Sequence, residues 1–352
     1  MRAMLGLLAV FVGLNAVAEG LWVVNPAGTG PGAQKRVVLV SGDEEYRSEE
    51  MLPQFAKILS TRHGFETTVL FAINPDGNYI DATCTTNIPG LATLDNADLM
   101  VIFTRFRDLP DAQMAHVDRF LMAGKPVIGI RTSTHAFKPG NATWAHYGDG
   151  YNGDKAEWKG GFGRLVLGEH WISHHGAHKG ESTVGLIVPA AAGNPILRGL
   201  KNGDIWGSTD VYGVRLPLPG GSVPLVLGQV TKRAGAYSGD DLHYGMRPTD
   251  AEPVAGAKND PMMPIVWTKP YQLPGGKPGQ ALASTIGSGA DFTNPGVRRV
   301  LVNAVYVLCG LTDALPAEGA AVDLVGDYAP TKYEFRTAEY WKERNLKPGD
   351  LR

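Results

Sequence analysis

Along the first 130 residues, continuous apolar runs alternate with segments whose apolar positions recur every three to four residues. Residues 35–42 (KRVVLVSG) form a β-rich run ending in small residues, the pattern of a strand buried on both faces. Behind it, Ser48 is followed by acidic residues, Met51, Phe55, Ile58 and Leu59 make one apolar face, and Gly64 is a stop. That pattern predicts a helix with Ser48 as its N-cap. Residues 66–73 and 97–106 predict two further strands, 111–124 a helix closed by Gly124, and 125–130 (KPVIGI) a fourth strand. This alternation predicts an α/β fold with a doubly wound, mostly parallel sheet.

The second half is less regular. STVGLIVP, DIWGSTDVYGV and VPLVLGQV read as strands, residues 232–261 as a long insertion, and MPIVWTKPY with GQALASTIGSG as a strand pair. NPGVRRVLVNAVYVLCG reads as a helix opened by Asn294 and Pro295 and closed by Gly310. No linker divides the halves. One domain is expected over 34–315, with 316–352 a tail whose aromatics pack back onto it.

Composition narrows the picture. The 45 glycines and 24 prolines predict long structured loops rather than long helices. A formal charge of -2 without a basic run argues against a nucleic-acid partner. Residues 1–18 carry Arg2, an apolar core from Leu5 to Leu14, and Ala16-Val17-Ala18, the pattern of a secretory signal peptide. The expectation is a secreted or periplasmic chain with no membrane span after cleavage. Cys84 and Cys309 are too few for a disulfide framework, and Cys309 reads as a core thiol. Whether they pair, and whether the chain forms a homo-oligomer, stays open.

In open α/β sheets, ligands sit beyond the carboxyl ends of the strands. That rule selects Asp43, Glu44, Glu45, Tyr46 and Arg47 after the first strand, and Arg105 and Arg107 after the third. After the fourth it selects Arg131, Thr132, Ser133, Thr134 and His135. The acids also suit a helix N-terminus. His135 could move protons or bond backbone. Ser133 lacks the flanking glycines of a nucleophile elbow.

The segment 168–180, GEHWISHHGAHKG, contains His170, His174, His175 and His178. Its glycines disfavour a continuous helix, each costing about 1 kcal/mol against Ala. It lacks the HExxH glutamate, and structural zinc of the Cys/His type needs a cysteine nearby. A loop could still fold these imidazoles around a divalent metal; no other cofactor is implied. His63 and His116 fall on polar helix faces. The loop 138–163 is rich in aromatics for its aliphatic content, and with Tyr46 and Trp171 its rings could stack on a sugar.

KPVIGIRTSTH resembles the strand-to-helix turn of class I glutamine amidotransferase-like (flavodoxin-like) domains, with Arg131 at the position of their nucleophilic cysteine. A guanidinium is no nucleophile, so glutamine amidotransfer is ruled out. A closer resemblance is to the ThuA-like (trehalose utilisation) family, which has this fold without the cysteine. It rests on VVLVSGDEEYRSEE, PVIGIRTSTHAF, WKGGFG followed by GEHWISHH, NPILRGL, PIVWTKPY and ASTIGSGADFTNPGVRRVLVNAVYVLCG, in order from about Arg36 to about Leu311. Two family histidines are replaced: the GIH histidine by Arg131, and the LGH histidine by Ser288.

The resemblance implies carbohydrate metabolism and a small-molecule sugar ligand. The expected activity is acid–base chemistry on a sugar or glycoside, such as a 3-keto sugar, by a lyase, hydrolase or isomerase. His174, His175, His135 and Glu44 are the expected proton-transfer groups. Asp43, Glu45, Tyr46, Arg47, Arg105, Arg131, Thr132, Ser133, Glu169, His170 and Trp171 are expected to line the site, with Arg131 and Arg105 holding an oxygen. The alternatives are a non-catalytic carbohydrate-binding or scaffold protein and a metal-dependent hydrolase.

Overall fold

Ten strands share one sheet in the computed structural model, which describes residues 19–352. The leader expected at 1–18 lies outside the described residues. In chain order the strands are Trp22–Asn25 (β1), Arg36–Gly42 (β2), Glu66–Leu70 (β3), Leu99–Thr104 (β4), Val127–Ile130 (β5), Glu181–Ile187 (β6), Trp206–Gly207 (β7), Val223–Lys232 (β8), Met263–Tyr271 (β9) and Gly279–Ser284 (β10). Their spatial order is β1-β3-β2-β4-β5-β10-β9-β8-β6-β7.

Strands β3, β2, β4, β5 and β10 are mutually parallel. Strand β1 on one side, and β9, β8, β6 and β7 on the other, continue the sheet antiparallel. The parallel centre is the part where helical segments separate the strands. The wing is antiparallel because its strands follow one another through loops too irregular to supply crossover helices.

Side chains alternate across the centre with period two. Val37 and Leu39 of β2 face a core shared with helices Ser48–His63 (α1) and Pro295–Leu308 (α3), while Val38 and Val40 face helix Asp111–Met122 (α2). Helices therefore cover both faces. Asn294 caps α3 by accepting from the Val297 N–H at 2.9 Å. Ser48, expected as the cap of α1, is its first helical residue; Arg47 before it is left-handed at φ 62°. The Ser48 hydroxyl instead accepts from the Asp43 N–H at 3.1 Å, closing the turn between β2 and α1.

Three further expectations are corrected. DIWGSTDVYGV is not one strand. Trp206–Gly207 pairs with β6, but Asp291 draws the next residues aside by accepting from the Ser208 and Thr209 N–H groups. Tyr212 and Gly213 then pair with His174 and Ser173. The 138–163 loop does build a core: Tyr147 and Trp158 are buried with Phe137 and Phe162, and the Tyr147 hydroxyl donates to Asp118 on α2 at 2.7 Å. His63 is buried, bonded to the Tyr306 hydroxyl and the Ala321 carbonyl.

The tail runs back along the domain to a short helix, Ala338–Arg344 (α4), with Tyr333 and Trp341 buried. Cys84 and Cys309 are both free thiols. Among the described residues no helix is long and apolar enough to cross a membrane.

Glu49, in the first turn of α1, is buried without a hydrogen bond, 3.7 Å from Arg47. Burial raises its pKa from 4.5 to about 7. The native state therefore holds a proton that the unfolded chain releases, and stability from this source is complete below about 4.5 and gone above about 7. Denaturant midpoints should fall between pH 5 and pH 8, and Glu49→Gln should flatten that fall. An unchanged slope in the variant would place the dependence elsewhere.

Candidate active site

Strand β5 ends at Ile130, and the next residue turns sharply. Arg131 sits in the left-handed region at φ 46°, opening a short 3-10 turn, Arg131–His135. For a long side chain this conformation costs about 1–3 kcal/mol and persists only where the surroundings enforce it. Here the enforcement is visible. The fully buried guanidinium donates to the Asp210 carbonyl at 2.5 Å, the Thr285 carbonyl at 2.8 Å, the Asp210 carboxylate at 2.8 Å and the Tyr46 hydroxyl at 3.1 Å. Its face lies 3.7 Å from the Tyr212 ring centre and 4.6 Å from that of Tyr46.

Asp210 is the hub. Its second carboxylate oxygen accepts from His174 Nδ1 at 2.7 Å, and its first also accepts from His178 Nδ1 at 3.1 Å. Burial alone would raise the Asp210 pKa; the Arg131 charge and the two imidazole hydrogen bonds outweigh it and hold the group ionised. An ionised carboxylate only accepts, so His174 carries its proton on Nδ1 and presents the Nε2 lone pair. His174 is exposed, so that lone pair is reachable.

His178 lies between two acids, with Nε2 3.1 Å from Glu45. Burial disfavours its charge, but the bonds to Asp210 and Glu45 prevail and raise its pKa. His135 is the opposite case. Burial, then the Arg105 and Arg131 charges, depress its pKa well below the usual range, so it is neutral. It packs against Phe106, Trp171 and Tyr212.

Several expected site residues turn out to build the frame. Both terminal nitrogens of Arg131 are engaged inside the protein, and its Nε is buried without a partner, so the fully buried guanidinium is not presented at the rim. Asp43 is buried and accepts from the Thr132 hydroxyl at 2.6 Å and from the Glu45 and Tyr46 N–H groups. Ser133 donates to the Ile102 carbonyl at 2.6 Å. Arg47 is buried against the Glu44, Glu45 and Glu334 carbonyls, and Tyr46 is stacked on Tyr333. Glu44, expected to transfer protons, has its two oxygens held by Arg105 at 2.5 Å and Arg107 at 2.7 Å. Glu45 is the acid that reaches the histidines.

The histidine run divides. His174 and His178 meet on Asp210, whereas His175 turns away to bond the Lys258 carbonyl at 2.9 Å. His170 stands 3.4 Å from Asp149, and Glu169 is buried between Arg164 and Arg215. Trp171 flanks His174 and Tyr212, and Arg105 lies between Phe106 and the exposed Phe335. His174, His178 and Asp210 each offer a ligand atom, all within 4.8 Å of one another. Two imidazoles and a carboxylate are a donor set that suits a divalent transition metal.

Sequence reasoning did not single out Asp210, Tyr212 or Tyr333. The available signal was an acid inside the apolar run DIWGSTDVYGV, since a buried charge requires a partner.

No family model matches this chain, and no curated protein matches it. The structure is similar to a solved protein from Parabacteroides merdae ATCC 43184 described as thua-like, with 13% identity and a TM-score of 0.41, over 87% of this chain and 98% of that one. It is also similar to one from Bacteroides uniformis ATCC 8492, likewise described as thua-like, with 11% identity and a TM-score of 0.41, over 81% and 95%. Neither likeness bears on ligand or reaction.

Arg131→Met would leave the Asp210 carboxylate buried without its cation. It should cost about 3–5 kcal/mol of stability in chemical denaturation. Adding Asp210→Asn should cost less than the sum of the single changes. A loss below about 1 kcal/mol for Arg131→Met would show that the pair does not carry the site.

Proposed function

We propose that the protein processes a sugar or glycoside by acid–base chemistry, with His174 as the proton-transfer group and Asp210 as the residue that positions it. The observation that carries this reading is the Asp210–His174 hydrogen bond, which fixes the tautomer and leaves Nε2 open at the rim. The carbohydrate class rests on the motif resemblance and on the flat face of Trp171 beside His174. The leader-like residues 1–18 support action outside the cytoplasm.

A 3-keto glycoside suits such a site because the carbonyl acidifies the neighbouring C–H. His174 Nε2 takes that proton, the C–H electron pair becomes a C=C bond, and the glycosidic C–O bond breaks. The departing oxygen then takes a proton. In this reading Arg105, partly exposed between two aromatic rings, supplies the cation for the enolate oxygen.

A second reading has one specific observation behind it. The ligand atoms of His174, His178 and Asp210 could close on a divalent metal, making the protein a metal-dependent hydrolase. Metal analysis of untagged protein, before and after chelation, separates the two. Full activity in a metal-free sample excludes the hydrolase reading.

His174→Gln should lower kcat on a 3-keto glucoside by about 10²- to 10⁴-fold, while His175→Gln should stay near wild type. Full turnover by the His174 variant would remove that residue from the chemistry. Ligand that binds without ever being converted would favour a non-catalytic carbohydrate-binding protein.

A further inference from the structure

The WKGGFG turn takes no part in the chemistry above, yet it is tightly constrained. A Cβ on Gly161 would lie 1.9 Å from the Gly148 carbonyl oxygen, and one on Gly163 would lie 2.0 Å from that of Thr134. Gly160 and Gly161 are both left-handed, at φ 90° and 63°. Only glycine permits this close approach. The consequence is a cavity of about 430 Å³ beside the turn, lined by Tyr151, Asn152, Lys159, Arg164, His170 and Arg215.

No carboxylate lines this cavity, and three cations do. The acid that organises it lies behind the wall. Glu169 is fully buried and accepts from Arg164 at 3.1 Å and from Arg215 at 2.6 Å, and also from the His170 and Arg215 N–H groups. Each of these bonds uses one arm of a guanidinium, so both forks are held in place while their remaining N–H groups stay free for a ligand. Arg164 is partly exposed and Arg215 more so. Lys159 is exposed. Lys269, next to this wall, has its pKa lowered by burial and then by the Arg164 charge, as expected in a positive field. Two further acids stand beside the wall and are turned to partners of their own: Asp149 lies 3.4 Å from His170, and Asp154 accepts from the Tyr151 hydroxyl at 2.8 Å.

We propose that this cavity is a binding site for a carboxylate-bearing sugar. The guanidinium forks of Arg164 and Arg215 and the Lys159 ammonium take the carboxylate, Tyr151 offers a flat face to the ring, and Asn152 an amide to its hydroxyls. The planar fork of a guanidinium matches the two oxygens of a carboxylate. The volume is within the range of small-molecule sites and accommodates a pyranose. His174 makes none of these contacts, so the assignment does not rest on the acid–base reading.

Calorimetric titration of the full chain with D-glucuronate, D-glucose 6-phosphate and methyl glucoside tests it. Glucuronate should bind, more weakly as salt rises, and any methyl glucoside binding should be insensitive to salt. Lys159→Gln, which breaks no contact within the protein, should weaken glucuronate at least fivefold. Arg215→Gln should weaken it further, with the folded state checked by circular dichroism because Glu169 loses a partner. His174→Gln should leave binding unchanged. No glucuronate binding at millimolar concentration, a loss of methyl glucoside binding in Lys159→Gln as large as that of glucuronate, or wild-type glucuronate affinity in that variant would overturn the proposal. Tighter binding of the phosphate sugar would overturn the carboxylate assignment.

Discussion

The buried ion pair between Arg131 and Asp210 is the constraint on which the site depends. Removing two charges from water costs several kcal/mol for each ion unless geometry and hydrogen bonds compensate. The compensation here ties four separate stretches of chain to one guanidinium: the turn after β5, the segment at Asp210, Thr285 beyond β10, and the Tyr46 loop after β2. Because every partner sits at a strand end or in a following loop, the pair also fixes where those loops begin. The left-handed backbone at Arg131 is held by the same contacts.

Charge placement follows from that pair. Arg131 keeps Asp210 ionised in a dry setting, and the ionised carboxylate can then order two imidazoles in different ways. His174 is bound at one nitrogen and keeps the other open, whereas His178 is bound at both and favours the charged form. One carboxylate thus leaves one imidazole nitrogen open and draws the other imidazole toward its charged form. Burial adds a third state in His135, which remains neutral. His178 and His135 are thus pushed in opposite directions by their surroundings.

The parallel centre of the fold was legible in the sequence because its signals are local. VVLV and LMVIFT announce strands buried on both faces, and Asn294-Pro295 announces a helix start. The site was legible only in outline. The strand-end rule brought out the right loops, but most of the polar groups it selected, including Asp43, Thr132, Ser133 and Arg47, hold those loops together. Asp210 escaped notice because the departure from the strand at Ser208 is dictated by Asp291, more than eighty residues away in sequence. The aromatic loop misled for a related reason. Tyr147 and Trp158 lack aliphatic neighbours in sequence and find their apolar partners across the sheet face.

The tail gives the site a place in time as well as in space. Tyr333 stacks on Tyr46, receives the Tyr244 hydroxyl on its carbonyl and donates its own hydroxyl to the Ser208 carbonyl at 2.8 Å. It therefore braces both the loop after β2 and the segment leading to Asp210. During synthesis the sheet and its helices can assemble as they emerge, but the wall around the histidines is finished only after residue 333 has left the ribosome. Nascent chains would thus hold a folded sheet before they hold a complete site.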